Sequence, residues 1–313
     1  MLQALFYILI FPGFLFVSLF SFFTEYVDRK LCARFQNRIG PPWYQPVADF
    51  IKLASKEDVV PHLADRRTFE YAPVFALAAC VTAFLYIPTW SKEALFAFDG
   101  DLIVVIYLLT IPTITFFLAG WYSRSVYSMI GAARSIVQLF AYEIPLLLSI
   151  LAAALLAGTW SLSAVTSFYA HHLGYLGFNA LGFVVAIVAL LGKLELVPFD
   201  IPEAETEIVA GSFTEYSGRL LALFRLAKGV ELVVGTSLVA SVFFPVALDF
   251  GPIVGFVAYV LEVLLLVAII SLLRSLAARF RIDQMINLSW KVAAPLAFAQ
   301  VLISLAVKEA LHL

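Results

Sequence analysis

Eight long apolar runs constrain this 313-residue sequence more than any other feature. Each run has roughly 18 to 23 residues, the length that an α-helix needs to cross the hydrocarbon core of a bilayer. We therefore predict an all-α integral membrane protein with about eight transmembrane helices, in a single membrane domain over residues 1–313. The predicted spans are approximately 3–24, 73–90, 102–120, 136–157, 178–196, 226–248, 252–273 and 290–310.

The composition agrees with membrane insertion and disfavours several other classes of protein. Hydrophobic residues make up 63% of the chain and charged residues 13%, against about 25% charged in a soluble domain. The net charge of −2 disfavours a nucleic-acid partner. Cys32 and Cys80 are far apart, and the four histidines lack the spacing of a metal or haem site. We expect this chain to bind no metal and no redox cofactor of its own.

The basic residues predict how the chain is oriented in the membrane. All of the 20 Lys and Arg residues except Lys92 and Lys308 lie in the segments 25–72, 121–135, 193–228 and 274–291. Because basic loops stay on the cytoplasmic side, we expect both termini to face outward in a cell membrane. The predicted cytoplasmic loops are about 25–72, 121–135, 197–225 and 274–289. The low number of Asn and Gln residues is typical of a thermophile.

One predicted cytoplasmic loop carries an amphipathic pattern. Its stretch PPWYQPVADFIKLASKE covers residues 41–57. The apolar residues at helical spacing are Trp43, Val47, Phe50, Ile51 and Ala54, and the polar side holds Asp49, Lys52 and Glu57. This pattern predicts a short interfacial helix, which either contacts lipid or packs on the body of the protein.

A second predicted loop gathers carboxylates in the stretch PFDIPEAETEIVAG, residues 198–211. Asp200 followed by Pro202 and Glu203 is an N-capping pattern, so we expect a short helix that Gly211 ends. On that helix Glu203 and Glu207 would share a face, whereas Glu205 would point elsewhere. One interpretation is a solvated acidic helix start, which the helix dipole favours.

Carboxylates nearby and within the spans favour a second interpretation. Glu195 and Glu215 flank the acidic stretch, and the membrane runs contain Glu143, Glu231 and Glu262. A charge inside a membrane is costly, so such residues usually face a watery cavity or a partner and mark ion or proton paths. We expect Lys228, three residues before Glu231, to pair with it. The pattern indicates a proton-handling transporter or the membrane anchor of a larger assembly.

Four sequence blocks resemble a known family, the complex I membrane subunit called NuoH (NADH dehydrogenase subunit 1). Its relatives include the membrane anchor subunits of group 4 membrane-bound, energy-converting hydrogenases and of sulfane reductase complexes. The blocks cover much of the chain in order. They are RIGPPWYQPVADFIKL (38–53), GWYSRSVYSMIGAARSIVQLFAYEIPL (120–146), PFDIPEAETEIVAGSFTEYSG (198–218) and RFRIDQMINLSWKVAAPL (279–296).

The resemblance implies a membrane anchor and coupling subunit of a prokaryotic oxidoreductase complex, without catalytic activity of its own. Cytoplasmic iron–sulfur and hydrogenase-large-like subunits, and antiporter-like membrane subunits, would be its partners. Iron–sulfur clusters, with or without a nickel–iron centre, would lie in those partners. The implied proton or ion relay is Glu143, Glu195, Asp200, Glu203, Glu205, Glu207, Glu215 and Glu231, to which the sequence pattern adds Lys228 and Glu262. The implied partner interface is Arg38, Gln45, Asp49, Lys52, Arg134, Arg279 and Asp283.

Two departures from the complex I pattern favour a ferredoxin-linked complex of the hydrogenase type, which uses no quinone. Only Pro42, Trp43 and Tyr44 separate Pro41 from Gln45, where complex I members carry a longer loop with glycine. Leu196 and Val197 stand where those members carry an arginine. The alternatives are the quinone-chamber subunit of complex I and a stand-alone secondary transporter. The missing internal repeat counts against the transporter.

Overall fold

The computed structural model describes residues 2–91, 93–245 and 251–310. Within these residues the chain forms helices, turns and loops without a β-strand, which confirms the all-α prediction. The α-helices are α1 Leu2–Leu9, α2 Phe14–Phe35, α3 Gln45–Ala54, α4 Arg66–Leu85, α5 Asp101–Tyr122, α6 Val126–Ala157, α7 Leu162–His171, α8 Ala180–Lys193, α9 Glu205–Ile208, α10 Gly218–Phe243, α11 Pro252–Leu276, α12 Ile282–Leu288 and α13 Ala294–Ala310. Short 3₁₀ segments cover Leu173–Asn179 and Gly211–Phe213, and a π-helical turn covers Ser289–Ala293.

Eight helical segments in the described residues are long and apolar enough to cross a membrane, as predicted. They are Leu5–Phe35, Arg66–Leu85, Asp101–Tyr122, Val126–Ala157, Gly174–Lys193, Gly218–Phe243, Ile253–Leu276 and Ile282–Ala310. The ends differ from the predicted ones because helices continue past the apolar runs. The predicted loop 25–72, for example, begins inside α2, and the last turns of this helix carry Arg29 and Arg34.

Helix α10 forms the centre of the bundle. Nearly all of it is buried, and it packs against α2, α4 and α11, with further contacts to α3, α7 and α8. Helix α6 packs against α5, α8 and α13. The outer helices α11 and α13 present large apolar side chains on their free faces, such as Leu261, Leu265, Phe298 and Leu302. Such faces suit contact with lipid or with other membrane helices.

Helix α4 contains an internal proline whose missing N–H is compensated by a distant side chain. Pro73 in α4 deprives the carbonyl of Phe69 of its helical partner, and the Tyr216 hydroxyl donates to that carbonyl at 3.2 Å. The Tyr216 ring also stacks on Phe69 at 3.9 Å between centroids. In a membrane interior such a replacement donor is what makes a proline tolerable.

The amphipathic loop segment forms the predicted helix α3, with Pro46 in its first turn. Phe50 packs on Phe22 of α2, with 5.5 Å between ring centroids. Trp43 and Ile51 remain exposed. One side of this helix therefore packs on the protein itself, and the other is open to lipid or to a partner.

The acidic stretch does not form the predicted helix from Asp200 to Gly211. Helix α9 is a single turn that begins after Ala204, and Gly211 opens a 3₁₀ turn rather than ending a helix. Asp200 is paired with Arg279 and so caps no helix. Tertiary ion pairs thus outweigh the local capping preference. Gly211 has φ +53° and sits so close to the carbonyl of Pro202 that no side chain would fit.

Candidate functional site

A cavity of about 400 Å³ lies between α2, α10 and the acidic stretch. Its charged lining consists of four acidic and four basic residues: Glu25, Asp28, Glu195, Glu203, Arg29, Arg225, Lys228 and Arg274. Apolar side chains, among them Phe213 and Phe224, form the remaining walls. The cavity is large enough for several water molecules, and its polar walls can hold them.

Lys228 of α10 joins two carboxylates at the inner wall of this cavity. Its ammonium group donates to Glu195 at 2.6 Å and also to Glu203. The predicted pairing of Lys228 with Glu231 is therefore wrong, because Lys228 pairs instead with two carboxylates from the segment that follows α8. Burial raises the pKa of Glu195, and the charge of Glu203 raises it further, against the opposing effect of Lys228.

A second ion pair lies deeper in the bundle. The Lys193 ammonium group at the end of α8 is 3.3 Å from Glu231 of α10, and both side chains are 1% exposed. Lys193 also donates to the carbonyl of Leu109, which lies beside the break that Pro112 makes in α5. The ring of Tyr142 covers the ammonium group, with 5.6 Å to its centroid.

Glu143 on α6 lies beyond this pair. One of its carboxylate oxygens is buried and has no hydrogen-bond partner among the described residues. Lys193 is the charged group whose field acts on it. The preceding residue, Tyr142, shares a hydrogen bond of 2.8 Å with Thr113 of α5. A buried carboxylate without a fixed partner is suited to gain and lose a proton.

The structure brings only part of the predicted relay together. Asp200 pairs with Arg279 at 2.6 Å, and Glu207 pairs with Arg134 at 2.7 Å, so both tie loops to the bundle. Glu203 and Glu207 consequently share no helix face. Glu215 is half-buried and takes part in none of the described ion pairs, and the Glu205 side chain lies outside the described part of the chain.

Glu262 is half-buried on α11 and does not line the cavity. Its charge acts on Tyr259, whose hydroxyl shares a hydrogen bond of 2.7 Å with Ser237 of α10.

Several cavity residues were missed by the sequence analysis. Glu25 and Asp28 were placed in a loop or at its edge, whereas they lie on α2. Arg29 bridges Glu25 and, at 2.9 Å, Asp49 of α3. Asp28 pairs with Arg274 of α11. The spacing of Glu25 and Arg29, four residues apart, is a helical ion-pair signal that could have revealed the longer helix.

The predicted partner-interface residues divide into two groups. Arg38, Lys52 and Asp283 are exposed and free to meet another chain. The other four, Gln45, Asp49, Arg134 and Arg279, form contacts within the protein, including a 2.8 Å hydrogen bond from Gln45 to Asp49. Burial acts to raise the pKa of Asp49, but hydrogen bonds from Arg29 and Gln45 together hold it below its usual range.

Comparison with known proteins identifies the family. A family model described as NADH dehydrogenase matches residues 7–305. The NuoH subunit of the NADH-quinone oxidoreductase of Dehalococcoides mccartyi (strain CBDB1) is 35% identical over 310 residues, which cover 97% of this chain and 86% of the relative. The NuoH subunit of Carboxydothermus hydrogenoformans is 31% identical over 303 residues, which cover 93% of this chain and 85% of the relative.

A solved structure shares the fold. It contains the membrane-bound sulfane sulfur reductase, an archaeal respiratory membrane complex. One of its chains has a TM-score of 0.83 and 26% sequence identity to this protein, and the match covers 97% of this chain and 98% of that chain. The resemblance inferred from the four sequence blocks is confirmed, and the chain is a member of the NADH dehydrogenase family, similar to its NuoH members.

Proposed function

We propose that this chain is the membrane anchor and coupling subunit of an ion-translocating respiratory complex. It would connect an electron-transfer arm to an ion-pumping arm through buried carboxylates. The observation that carries this proposal is the row of charged groups leading from the 400 Å³ cavity into the bundle. Glu203, Lys228 and Glu195 form its outer part. Lys193 and Glu231 form its inner part, with Glu143 beyond them.

The outer and inner parts would pass charge by coupled protonation. The raised pKa of Glu195 makes its protonation accessible under milder conditions than that of a solvated glutamate. Protonation of Glu195 would weaken its hold on Lys228, whose charge would then act more strongly on Glu231. Within each part the charged groups are already in contact.

We favour a ferredoxin-linked complex of the membrane-bound hydrogenase type. Support comes from the likeness to a sulfane sulfur reductase chain and from the short Pro41–Gln45 connection. The partners would be cytoplasmic iron–sulfur and hydrogenase-large-like subunits and antiporter-like membrane subunits. Redox centres would reside in those partners rather than in this chain.

A quinone-reducing complex I is the second candidate. The matching NuoH relatives belong, by name, to NADH-quinone oxidoreductases, and the cavity has room for a polar ring. Electron-transfer assays on the isolated complex separate the two: we expect ferredoxin oxidation coupled to proton or sulfane reduction, without quinone reduction. A stand-alone transporter is disfavoured because these relatives are named as subunits.

Glu143 offers the cleanest test of the coupling role. Unlike Glu195 and Glu231, it takes part in none of the described ion pairs, so its replacement breaks none of them. Glu143→Gln keeps the size and a hydrogen-bonding end but removes the titration. We expect an assembled complex that loses most of its ion uptake into inverted vesicles, with electron transfer slowed or uncoupled.

The matched control is Glu309→Gln, which changes an exposed glutamate near the C-terminus. It should leave the ratio of ions moved to electrons transferred unchanged. Normal ion uptake per electron in the Glu143→Gln complex would exclude the relay role and leave Glu143 as a structural residue.

A further inference from the structure

A single hydrogen bond joins the last membrane span to the turn that carries Glu143. Pro145 has no N–H, so the carbonyl of Ala141, four residues earlier in α6, loses its helical partner. The Ser289 hydroxyl donates to this carbonyl across 148 residues of sequence. Ser289 is 8% exposed, so water does not readily take its place.

Ser289 also begins the π-helical turn Ser289–Ala293 between α12 and α13. A π-helical turn is a costly departure from the α-helix and frequently occurs at functional sites. The turn and the proline break in α6 therefore face each other, and the Ser289 hydroxyl connects them.

Glu143 of the proposed coupling route and its neighbour Tyr142 lie inside the broken turn of α6. Tyr142 and Glu143 fall between Ala141, which accepts from Ser289, and Pro145. Tyr142 contacts Thr113 of α5 at 2.8 Å and covers the Lys193 ammonium group. A shift of this turn would thus move Glu143 relative to Lys193, the charged group that acts on it.

The space beside the hydrogen bond is not fully packed. A cavity of about 20 Å³ lies between α6, α8 and the π-helical turn, lined by residues that include Tyr142, Pro145, Gly192 and Ser289. Its lining is almost wholly apolar. The turn is therefore not closely packed on this side, unlike most of a protein interior.

We propose that Ser289 is a positioning residue for Glu143. Its hydroxyl fixes the broken turn of α6 to the π-helical turn, so that a displacement of the C-terminal span reaches the Glu143 carboxylate. This inference rests on the proposed coupling function. It adds the C-terminal span to the coupling route, although that span contributes none of the charged groups in the row from Glu203 to Glu143.

The test compares three serine variants in the assembled complex. Ser289→Ala removes the hydroxyl, Ser289→Thr keeps it and adds a methyl group at a residue that lines the small cavity, and Ser149→Ala is the matched control. Ser149 is a buried residue of α6 whose hydroxyl donates within its own helix, to Leu146 at 2.8 Å. The readouts are ion uptake per electron in inverted vesicles and the pH at which uptake is half-maximal.

We expect Ser289→Ala to lower ion uptake per electron by about threefold to tenfold, the effect of one lost buried hydrogen bond. Its half-maximal pH should shift, since Glu143 would sit differently against Lys193. Ser289→Thr should recover most of the uptake, and Ser149→Ala should match the wild type. Wild-type uptake and pH profile in Ser289→Ala, or an equal loss in Ser289→Thr, would overturn the proposal.

Three further outcomes separate the possible failures. If Ser289→Ala does not assemble, the double variant Ser289→Ala/Pro145→Ala returns an N–H to α6 and should restore assembly; failure to do so would contradict the assigned hydrogen bond. If Glu143→Gln pumps normally, the coupling function itself fails. If Glu143→Gln is defective and Ser289→Ala is normal, only the positioning role fails.

Discussion

Lys193 and Glu231 place two opposite charges where water cannot reach either of them. Removing one member of such a pair leaves the other charge uncompensated, at a cost of about 3–5 kcal/mol. We expect Lys193→Met to reduce the yield of assembled complex sharply and to lower its thermal unfolding midpoint. The measurement is complex yield after membrane extraction, followed by thermal unfolding in detergent.

The double variant Lys193→Met/Glu231→Leu provides the comparison. It removes both charges and should recover much of the lost stability, because replacing a buried ion pair by apolar groups is often nearly neutral. Additive losses in the double variant would contradict a direct pairing between the two side chains.

At the scale of single residues, the sequence analysis identified the ionisable groups of the site but not all of their ion-pair partners. It selected Glu195, Glu203 and Lys228, which do meet at the cavity, but it paired Lys228 with Glu231 on helical spacing alone. It did not assign a role to Lys193. Contacts between residues that are distant in the chain decide such pairings, and no local pattern encodes them.

Two glycines, one in α5 and one in α6, allow these helices to lie very close to the backbone at the end of the acidic stretch. A side-chain carbon on Gly131 would collide with the backbone of Gly211 and Ser212, and one on Gly120 would lie 3.1 Å from Ser212. The Ser128 hydroxyl donates to the Ser212 carbonyl at 3.3 Å in the same slot. The close approach holds the stretch beside the cavity, and only glycine permits it.

We therefore expect Gly131→Ala to displace the stretch, with a loss of about 1–3 kcal/mol from overpacking. Ion uptake per electron should fall as Glu203 loses its contact with Lys228. Gly174→Ala is the matched control, because nothing lies within 4 Å of the added carbon there. If the Gly131→Ala complex had the same ion uptake and stability as the Gly174→Ala complex, the close approach at Gly131 would not be what holds the acidic stretch in place.

A second clamp holds the start of α10. Asp58 accepts hydrogen bonds from the backbone of Arg219 at 2.6 Å and from its side chain at 2.8 Å. Burial acts to raise the pKa of Asp58, but the bonds from Arg219 hold it below the ordinary value of 3.8. A carboxylate with a lowered pKa stabilises the fold above its ordinary value, and this contribution is lost as the pH falls through the lowered pKa.

Asp58→Asn should consequently lower the thermal unfolding midpoint at neutral pH, and the difference from the wild type should shrink below about pH 3.8. Asp99→Asn, which alters an exposed carboxylate outside the described ion pairs, should show no such trend. A difference that stays constant down to pH 3 would mean that the bonds from Arg219 do not lower the pKa of Asp58 in the folded protein.

The long elements were predictable because apolar length alone defines a membrane span. The interfacial helix α3 was predictable from its periodicity. Helix α9 and the neighbouring turns were not, since Asp200 and Glu207 are held by Arg279 and Arg134 from other segments. The π-helical turn at Ser289 also has no local signal, because its partner is a proline break in another helix.

The uneven distribution of basic residues predicts the orientation of the whole molecule in the membrane, and this prediction can be tested directly. In a background without Cys32 and Cys80, cysteines at Ser91 and His172 should react with a membrane-impermeant reagent added to intact cells. Cysteines at Ser55 and Arg281 should not. All four positions are exposed, so a buried side chain would not mimic protection.

Reaction of the Ser55 or Arg281 cysteine from outside would reverse the orientation. It would also place the charged cavity on the outer side of the membrane, where soluble electron-transfer partners of the cell interior could not dock. Protection of all four positions would point instead to cover by partner subunits.

The replacement donors at the proline breaks impose an order in time on the maturation of the chain. The Phe69 carbonyl has no replacement donor until Tyr216, 147 residues later, has been made. The Ala141 carbonyl has none until Ser289, 148 residues later, has been made. At a synthesis rate of about 5–20 residues per second, each carbonyl remains uncapped for roughly 7–30 seconds after its helix emerges. Helix α6 therefore completes its hydrogen bonding only after the segment that carries Ser289 has been made, and α4 only after Tyr216 has been made.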